Sequence, residues 1–550
     1  MGKVIYKIIV VAVFLGLIVL VLSLAPNYKK SETEGKIRWV INYSDVTGST
    51  KKDTFQDERG NFYVSMEDMA NFFDEQIEYD AIYNHIVTSG YDKVATIPID
   101  STQIDVNGRT EDIQAPIVKK DDTYYLPLQE LETIYTIDVE YKEETQTIVV
   151  ESLDREKIGA HTTKKASVYA LPTVFSRKVD KLAKAEEVTV IEKEEGWTKI
   201  RTANGELGYI QTNRLENETV VRKAAQHANA IQGKVSMVWD YFSEYVSAPN
   251  RTGTTIEGIN VVSPTFAVLE KYGKGQLEVN IGSEGNRYMR WAEANGYQVW
   301  PMISNNSMIE TTSEIMRDKD ARDTLIQNIV SLVEEYGWEG INIDFEYMYL
   351  EDKDYFNRFL IELAPRLHEK GALLSVDVTE PDGSENWSLC FDRHTIGKVA
   401  DYIVFMAYDQ NGGSSAREGT TAGCNWVEAN LKKFITQEEV EPHKIILGVP
   451  FYTRVWTTRA DEVDSTVVSM KSLENYIPEG VEKIWDEDLK QFYVEYQKKG
   501  TTYKIWMEEE QSISAKLDLV NEYGLAGASF WTKDREMEEI WPIIQQKLGI

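Results

Sequence analysis

Polar and apolar side chains alternate in the segment WEGINIDFEYM at residues 338–348. Strand side chains alternate between faces, so Asn342, Asp344 and Glu346 point to one side and the apolar residues to the other. A parallel strand is covered on both faces, and carboxylates there are costly unless they are paired or hydrogen-bonded. A purely structural strand would carry valine or isoleucine at these positions. The pattern therefore indicates catalytic carboxylates; the alternative is a satisfied internal polar network.

The elements that must position this strand lie in residues 233–550, where apolar β runs alternate with helix-length amphipathic segments. Such alternation is typical of a parallel α/β sheet, and eight β/α units predict a closed (β/α)8 TIM barrel. Glu346 falls at the C-terminal end of its strand, the face on which barrel enzymes place catalysis. The predicted strands are residues 235–239, 258–262, 297–303, 340–346, 373–378, 402–408, 444–450 and 525–531.

The interval between the seventh and eighth predicted strands is too long for a single helix. It contains β-like runs at residues 483–497 and 501–510. We therefore expect a small α+β insertion there, which could form one wall of a groove.

The segment EGINIDFE at 339–346 resembles the DxxDxDxE signature of glycoside hydrolase family 18, the chitinase family, and the resemblance extends over residues 233–550. Within the family, the chain resembles bacterial cell-wall and spore-cortex N-acetylglucosaminidases more than large secreted chitinases. Further agreement comes from SPTF at 263–266, MAYDQ at 406–410, GVPFY at 448–452 and the closing Trp531.

The resemblance implies a retaining mechanism in which the substrate assists. Glu346 would protonate the glycosidic oxygen while the N-acetyl carbonyl of the sugar attacks the anomeric carbon. Asp344 would hold the acetamido N–H, stabilise the cationic intermediate and help to raise the pKa of Glu346. Tyr408 would donate a hydrogen bond to the acetamido oxygen. The resemblance implies neither a metal nor an organic cofactor.

The same resemblance implies a set of substrate-binding residues around this catalytic group. Trp531 would form the apolar floor under the reacting sugar, because sugar C–H faces stack on aromatic rings. Asp409 would support the acetamido site. Asn342, Met406 and Tyr452 complete the set.

One position departs from the family pattern. Asn342 stands where the first aspartate of the D-x-D-x-E triplet is expected, and Glu339 replaces the outer one. Asn342 can hydrogen-bond to Asp344 but cannot share a proton with it, so we expect Asp344 to stay ionised over a wider pH range. Asp377, on the fifth strand, is either a second inward carboxylate near the site or a member of a structural ion pair.

Residues 36–153 contain an internal repeat with an offset of about 62 residues, in which FYVSM at 62–66 matches YYLPL at 124–128. Each copy predicts a strand, a short helix and a two-stranded hairpin. This α+β pattern resembles the copper amine oxidase N-terminal domain, although no cluster has copper-ligand spacing. We interpret the region as a spacer or a wall-binding module.

Residues 159–216 change to short β runs with turns at Glu195-Gly196 and Asn204-Gly205. They resemble a bacterial SH3-type domain, which implies a small β-barrel packed around Trp197 and the strand at 208–210. Such domains often hold peptidoglycan peptides, so we expect this one to contact the cell wall. The alternative is a β spacer without a ligand.

Residues 8–25 form an apolar run without a charge, and together with residues 4–6 the run is long enough to span a bilayer. Lys3 and Lys7 precede most of it, which predicts a cytoplasmic N-terminus. We therefore expect a single-pass anchor at 4–25, with the rest of the chain extracytoplasmic. A cleaved signal peptide, which would make the protein secreted, is the rival interpretation.

The composition narrows the possible partners. The 550-residue chain has 90 Asp and Glu residues against 59 Lys and Arg, a formal net charge of −31, which argues against nucleic-acid binding. Its two cysteines exclude a disulfide-built scaffold. The sequence thus predicts a hydrolase of β-1,4-linked N-acetylglucosamine polymers, with peptidoglycan as the first substrate. The alternatives are a chitinase acting on chitin or glycan oligosaccharides and a catalytically inactive, lectin-like barrel.

Overall fold

The structure is a computed structural model that describes residues 36–223, 229–243, 245–460 and 462–550. The chain divides into two compact units between Gln226 and His227. The predicted anchor at 4–25 lies outside the described residues. Within the ranges given above, no helix is long and apolar enough to cross a membrane.

The first unit contains the predicted repeat. The first strands of the two copies pair antiparallel, with Ser65 opposite Tyr125. Apolar side chains of both copies share one core, which includes Val64 and Leu126. The prediction of a strand, a helix and a hairpin in each copy is confirmed. The copies consist of Phe62–Ser65, Met66–Phe72, Glu78–Asp80 and His85–Ser89, then Thr123–Pro127, Glu132–Tyr135, Ile137–Lys142 and Thr147–Ser152.

Short strands complete the three sheets of this region. Arg38–Ile41 pairs in parallel with Thr147–Ser152, which ties the start of the described chain to the second hairpin. The other strands are Ser44–Asp45, Phe55–Gln56, Val94–Pro98, Gln103–Val106, Arg109–Asp112 and Val118–Lys120.

The region predicted to resemble an SH3 domain is a seven-stranded sheet. Alternating Val188 and Val190 point into its core, as the period of two requires. At Gly208 a Cβ atom would lie 2.7 Å from the carbonyl oxygen of Tyr169, so the close strand approach needs glycine. In sheet order the strands are Lys178–Leu182, Ala166–Tyr169, Leu207–Gln211, Trp197–Thr202, Glu187–Glu194, Lys157–Thr162 and Leu215–Arg222.

The second unit is built on eight parallel strand segments, numbered here β1 to β8. Each segment pairs with the next, and β8 pairs in parallel with β1, with Phe530 opposite Val238. Pairing thus runs through all eight and returns to the first. The segments are Val235–Asp240 (β1), Val261–Pro264 (β2), Gln298–Val299 with Met302–Ser304 (β3), Gly340–Asp344 (β4), Leu373–Val378 (β5), Tyr402–Met406 (β6), Ile445–Pro450 (β7) and Gly527–Trp531 (β8).

Helices cover the outer side of this sheet. Apolar residues such as Ile341 and Ile343 of β4 pack outward in a core with the helices, while Trp239 and Met302 belong to a separate inner cluster. The helix Lys319–Tyr336 is capped by Asp318 and ends at Gly337 in the left-handed conformation. The helices are Gly282–Asn295 (α1), Ile309–Arg317 (α2), Lys319–Tyr336 (α3), Lys353–Glu369 (α4), Arg393–Val399 (α5), Cys424–Thr436 (α6), Glu510–Glu522 (α7) and Ile540–Leu548 (α8).

The insertion between β7 and β8 differs from the prediction. It is a five-stranded antiparallel sheet, and its helical part is a seven-residue 3-10 helix, Met470–Tyr476. The two strands missed by the sequence reading, Tyr452–Arg459 and Glu462–Ser469, form the longest hairpin. The remaining strands are Ile484–Asp486, Gln491–Lys498 and Thr501–Trp506, and a hairpin of Ala267–Leu269 with Leu277–Val279 follows β2.

Candidate active site

Glu346 lies two residues beyond the last paired residue of β4. The pairing of β3 with β4 ends at Ser304 opposite Asp344. Beyond that point the main chain of Glu346 is hydrogen-bonded by the side chain of Asn305 instead of by the main chain of β3. Its Nδ2 donates to the carbonyl oxygen of Glu346 at 2.8 Å, and its Oδ1 accepts from the Glu346 amide at 3.0 Å. Asn305 is fully buried, so this double contact fixes the backbone that carries Glu346.

Asn342 is enclosed in the interior, and both ends of its amide are occupied. Its Oδ1 accepts from the indole Nε1 of Trp239 at 2.8 Å. Its Nδ2 donates to Asp377 Oδ1 at 2.7 Å and to Ser375 Oγ at 3.1 Å. The expected hydrogen bond to Asp344 is replaced by these contacts. Since its polar atoms are taken by protein groups, Asn342 supports the site from beneath, and we no longer place it among the substrate contacts.

Asp344 is buried above Asn342. Its Oδ1 has no hydrogen-bond partner among the described residues, an exception that calls for a ligand or a proton. Burial raises the pKa of Asp344 well above its usual range, and the charge of Asp377 raises it further. Burial and the charge of Asp377 both oppose the ionisation of Asp344, against the expectation that Asp344 stays ionised over a wider pH range.

The Glu346 carboxyl has the electrostatics of a proton donor at neutral pH. Burial first, and then the charges of Asp344 and Asp409, raise its pKa to about 8. A glutamic acid with that pKa remains protonated at pH 7 and can release its proton to a leaving group.

Tyr408 and Tyr452 stand at the ends of β6 and β7, with ring centroids 6.2 Å apart. The pKa of Tyr408 is raised well above 10 by burial and by Tyr452, Asp377, Asp344 and Glu346, so its hydroxyl stays protonated as a donor. Burial, the charge of Asp409 and a hydrogen bond with it raise the pKa of Tyr452 in the same way.

Asp409 is more exposed than the inner carboxyls. It adopts a positive φ of 57° and lies 3.4 Å from Arg454 Nη2. That ion pair joins the end of β6 to the first strand of the insertion.

Trp531 ends β8 and contacts aromatic rings at the end of β1. Its ring centroid lies 5.6 Å from Trp239 and 5.7 Å from Tyr241. Trp531 is half-buried, and Tyr241 is 55% exposed, so this aromatic group borders the solvent. Met406 is buried at the end of β6.

The structure brings Asp344, Glu346 and Tyr408 together and places Asp409 and Tyr452 beside them. Sequence reasoning missed Asn305 because its role depends on a neighbouring strand. Only the position of Asn305 at the end of the third predicted strand could have pointed to it. Among the described residues, no group of His, Cys, Asp or Glu could hold a metal ion.

A buried glutamate of raised pKa next to a second carboxyl, at the C-terminal ends of parallel strands, is an arrangement typical of glycoside hydrolases. Residues 237–536, more than half of the chain, match the model of the glycosyl hydrolases family 18. The chain belongs to that family and is a glycoside hydrolase. Residues 41–150 match the copper amine oxidase N-terminal domain and residues 164–216 the bacterial SH3 domain. All three resemblances are confirmed.

Several known proteins are similar to about half of this chain. The chain is 27% identical over 297 residues to the uncharacterized glycosylase YvbX of Bacillus subtilis, covering 52% of this chain and 83% of YvbX. It is 25% identical over 281 residues to the cortical fragment-lytic enzyme of Bacillus anthracis, covering 49% of this chain and 62% of that enzyme. The crystal structure of a chitinase from Chromobacterium violaceum matches 58% of this chain and 99% of its own, with a TM-score of 0.51 and 22% identity, which bears on the fold.

Proposed function

We propose that the protein is a β-N-acetylglucosaminidase that hydrolyses peptidoglycan by substrate-assisted, retaining catalysis. The observation that carries the proposal is the pairing of a buried Glu346, whose pKa is raised to about 8, with Asp344, whose Oδ1 lacks a partner among the described residues. An acetamido N–H could occupy the free Asp344 oxygen. The sugar's own carbonyl would then act as the nucleophile, so a second catalytic carboxylate at bonding distance is unnecessary.

The surrounding side chains fit the same reaction. Glu346 would protonate the glycosidic oxygen, and Tyr408 would donate to the acetamido oxygen as it attacks. Trp531 would support the reacting sugar, with Met406 and Tyr452 closing the pocket around the acetamido group and Asp409 holding Tyr452. The eight strands would form a closed (β/α)8 TIM barrel, with these residues at its C-terminal mouth.

The region before the second unit supports a wall substrate. We propose that the bacterial SH3 domain, as a small barrel, holds wall peptides. Lys165, Lys181 and Arg214 line a pocket of about 330 Å³ that also includes Tyr169. Three cations in a chain of net charge −31 favour an anionic ligand such as a peptide carboxylate. The copper amine oxidase N-terminal domain would act as a spacer or a second wall contact.

The proposed location rests on the sequence alone. The apolar run at 4–25 would anchor the chain in the cell membrane, with both units on the extracytoplasmic side next to the wall. If the run is instead a cleaved signal peptide, the protein would be secreted. Similarity to the cortical fragment-lytic enzyme of Bacillus anthracis agrees with a wall substrate under either arrangement.

The test compares the purified protein with its Glu346→Gln variant on peptidoglycan and on chitin oligosaccharides. We expect fragments with N-acetylglucosamine at the new reducing end from peptidoglycan, and none from the variant. Turnover of chitin oligosaccharides alone would keep the mechanism and assign a chitinase. Sugar binding without turnover of either substrate would indicate a lectin-like barrel and contradict the proposal.

A further inference from the structure

Two carboxyls occupy facing inner positions on adjacent strands. Asn342 of β4 lies opposite Ser375 of β5, and the next pair along is Ile343 opposite Val376. Continued by one residue, this register sets Asp344 opposite Asp377, and the charge of Asp377 acts on Asp344. Both side chains are buried, with 8% and 2% of their surface exposed.

Among the residues that the structure describes, acids and no compensating cation act on this pair. Burial raises the pKa of Asp377 well above its usual range, Asn342 lowers it, and the charge of Glu346 raises it again. Among the described residues, no Lys, Arg or His contributes to the shifts of Asp344 or Asp377. Two buried carboxylates that interact in this way cannot both ionise without a large cost.

Asn342 distinguishes the two carboxyls. The indole of Trp239 can only donate, so it fixes the amide oxygen of Asn342 on its own side and leaves Nδ2 to point at β5. The two hydrogens of Nδ2 are then donated to Asp377 and Ser375. A donated hydrogen bond favours the ionised form of Asp377, while Asp344 Oδ1 receives none from the described residues.

We propose that Asp344 and Asp377 hold one proton between them, so that Asp377 supplies from β5 the second acid that Asn342 does not supply on β4. In the free enzyme the proton resides on Asp344 and the negative charge on Asp377. When an acetamido N–H reaches Asp344, the O–H bond of Asp344 breaks and an O–H bond forms on Asp377. No proton leaves the pair, and Asp344 becomes the anion that the cationic intermediate requires.

Asp377 is a positioning residue here, since it acts on the substrate through Asp344. This step rests on the proposed function, but the shared proton itself is a property of the folded chain and can be measured without substrate. The titratable groups that face the pair are Glu346, Tyr408 and, further out, Asp409 and Tyr452.

The sign of the pH effect follows from the raised pKa values. A carboxyl whose pKa is higher in the folded than in the unfolded chain contributes full stability below its unfolded pKa of about 4. That contribution is lost as the pH rises through the folded pKa. Asp377→Asn removes one such group and lowers the pKa of Asp344, so its melting temperature should fall less than that of the wild type between pH 5 and pH 9.

The decisive comparison exchanges the acid and the amide. The double variant Asn342→Asp/Asp377→Asn returns the second carboxyl to β4 and places the amide on β5. We expect it to regain the steep, wild-type loss of melting temperature with pH. Ser375→Ala is the matched control, because it removes a hydrogen bond from the same Asn342 amide without changing the number of acids, and its slope should equal that of the wild type.

The same variants are then compared in activity. We expect Asp377→Asn to move the acid limb of the kcat profile to higher pH by about one unit or more, because the Asp344 anion loses the protonated partner that donates to it, and the exchange variant to restore it. Equal pH slopes of melting temperature in the wild type and Asp377→Asn would overturn the shared proton. If Asp377→Asn does not fold, an exchange variant that folds but lacks the wild-type slope overturns it equally. Absence of turnover by the wild type would instead contradict the proposed function, and the melting data would still decide the pair.

Discussion

Asn305 holds Glu346 by both of its main-chain polar groups, with contacts of 2.8 Å to the carbonyl oxygen and 3.0 Å to the amide. The same Asn305 amide also donates to Thr312 Oγ1 at 2.9 Å, which connects these contacts to α2. The contacts with Glu346 begin where the β3–β4 pairing ends. The orientation of the proposed acid thus depends on a side chain from the neighbouring strand.

We expect Asn305→Ala to lower kcat by on the order of 10- to 100-fold with little change in KM, because a small displacement of a reacting group carries costs of that size. Steady-state kinetics at several pH values measure the split between the two constants. The control is Asn430→Ala, which should retain kcat. Asn430 is a buried asparagine on α6 whose Nδ2 donates to the carbonyl oxygen of Trp426. A higher KM with unchanged kcat in Asn305→Ala would contradict the role of Asn305 in positioning Glu346.

The charge of Asp409 offers a way to test the assignment of the acid. Because that charge helps to raise the pKa of Glu346 to about 8, Asp409→Asn should lower this pKa. In the proposed mechanism the protonated form of Glu346 is the active one, so the alkaline limb of the kcat/KM profile should move to lower pH. The exposed Asp488 on the insertion provides a matched Asp→Asn control, whose profile should be that of the wild type. If the alkaline limb of Asp409→Asn does not move, the assignment of Glu346 as the proton donor is contradicted.

A fully buried ion pair holds the insertion to α7. Lys516 Nζ lies 2.9 Å from Glu508, and both side chains have no exposed surface. Glu508 also accepts from Gln491 at 2.6 Å and from Ser512 at 2.8 Å.

We expect Lys516→Met to lower the free energy of unfolding by about 3 to 5 kcal/mol, since it leaves Glu508 buried without its cation. Adding Glu508→Gln should recover part of that loss. Chemical denaturation followed by tryptophan fluorescence measures both. The exposed pair of Lys547 with Asp518 is the control, and Lys547→Met should cost less than about 1 kcal/mol. Similar losses in the two single variants would contradict the importance of burial.

The pocket of the bacterial SH3 domain predicts salt-sensitive wall binding. Lys165→Glu combined with Lys181→Glu should weaken binding of the Glu346→Gln protein to purified peptidoglycan by about tenfold or more, because two cations become anions beside an anionic ligand. A sedimentation assay at two salt concentrations measures this. Lys199→Glu, outside the pocket, is the control. Unchanged binding of the double variant would place the wall contact elsewhere.

The sequence determined the class of the protein because its signal is local. Period-two alternation in 338–348 set Asp344 and Glu346 on one face, and strand spacing predicted the eight parallel segments found from Val235 to Trp531. Family segments at the strand ends then marked Tyr408 and Trp531. Each of these inferences needs only neighbours along the chain.

The tertiary structure decided which partners these residues meet. Asn342 was expected to contact Asp344 on its own strand, but its amide is held by Trp239 of β1 and donates to Asp377 of β5. Asn305 reaches Glu346 across from β3. Likewise, the first strand of the insertion, Tyr452–Arg459, pairs with Thr501–Trp506 far along the chain, which joins its hairpins into one sheet. Contacts between strands depend on register and closure of the sheet, and a one-dimensional pattern carries neither. The sequence therefore identified Asp344 and Glu346, while only the fold determined which side chains surround them.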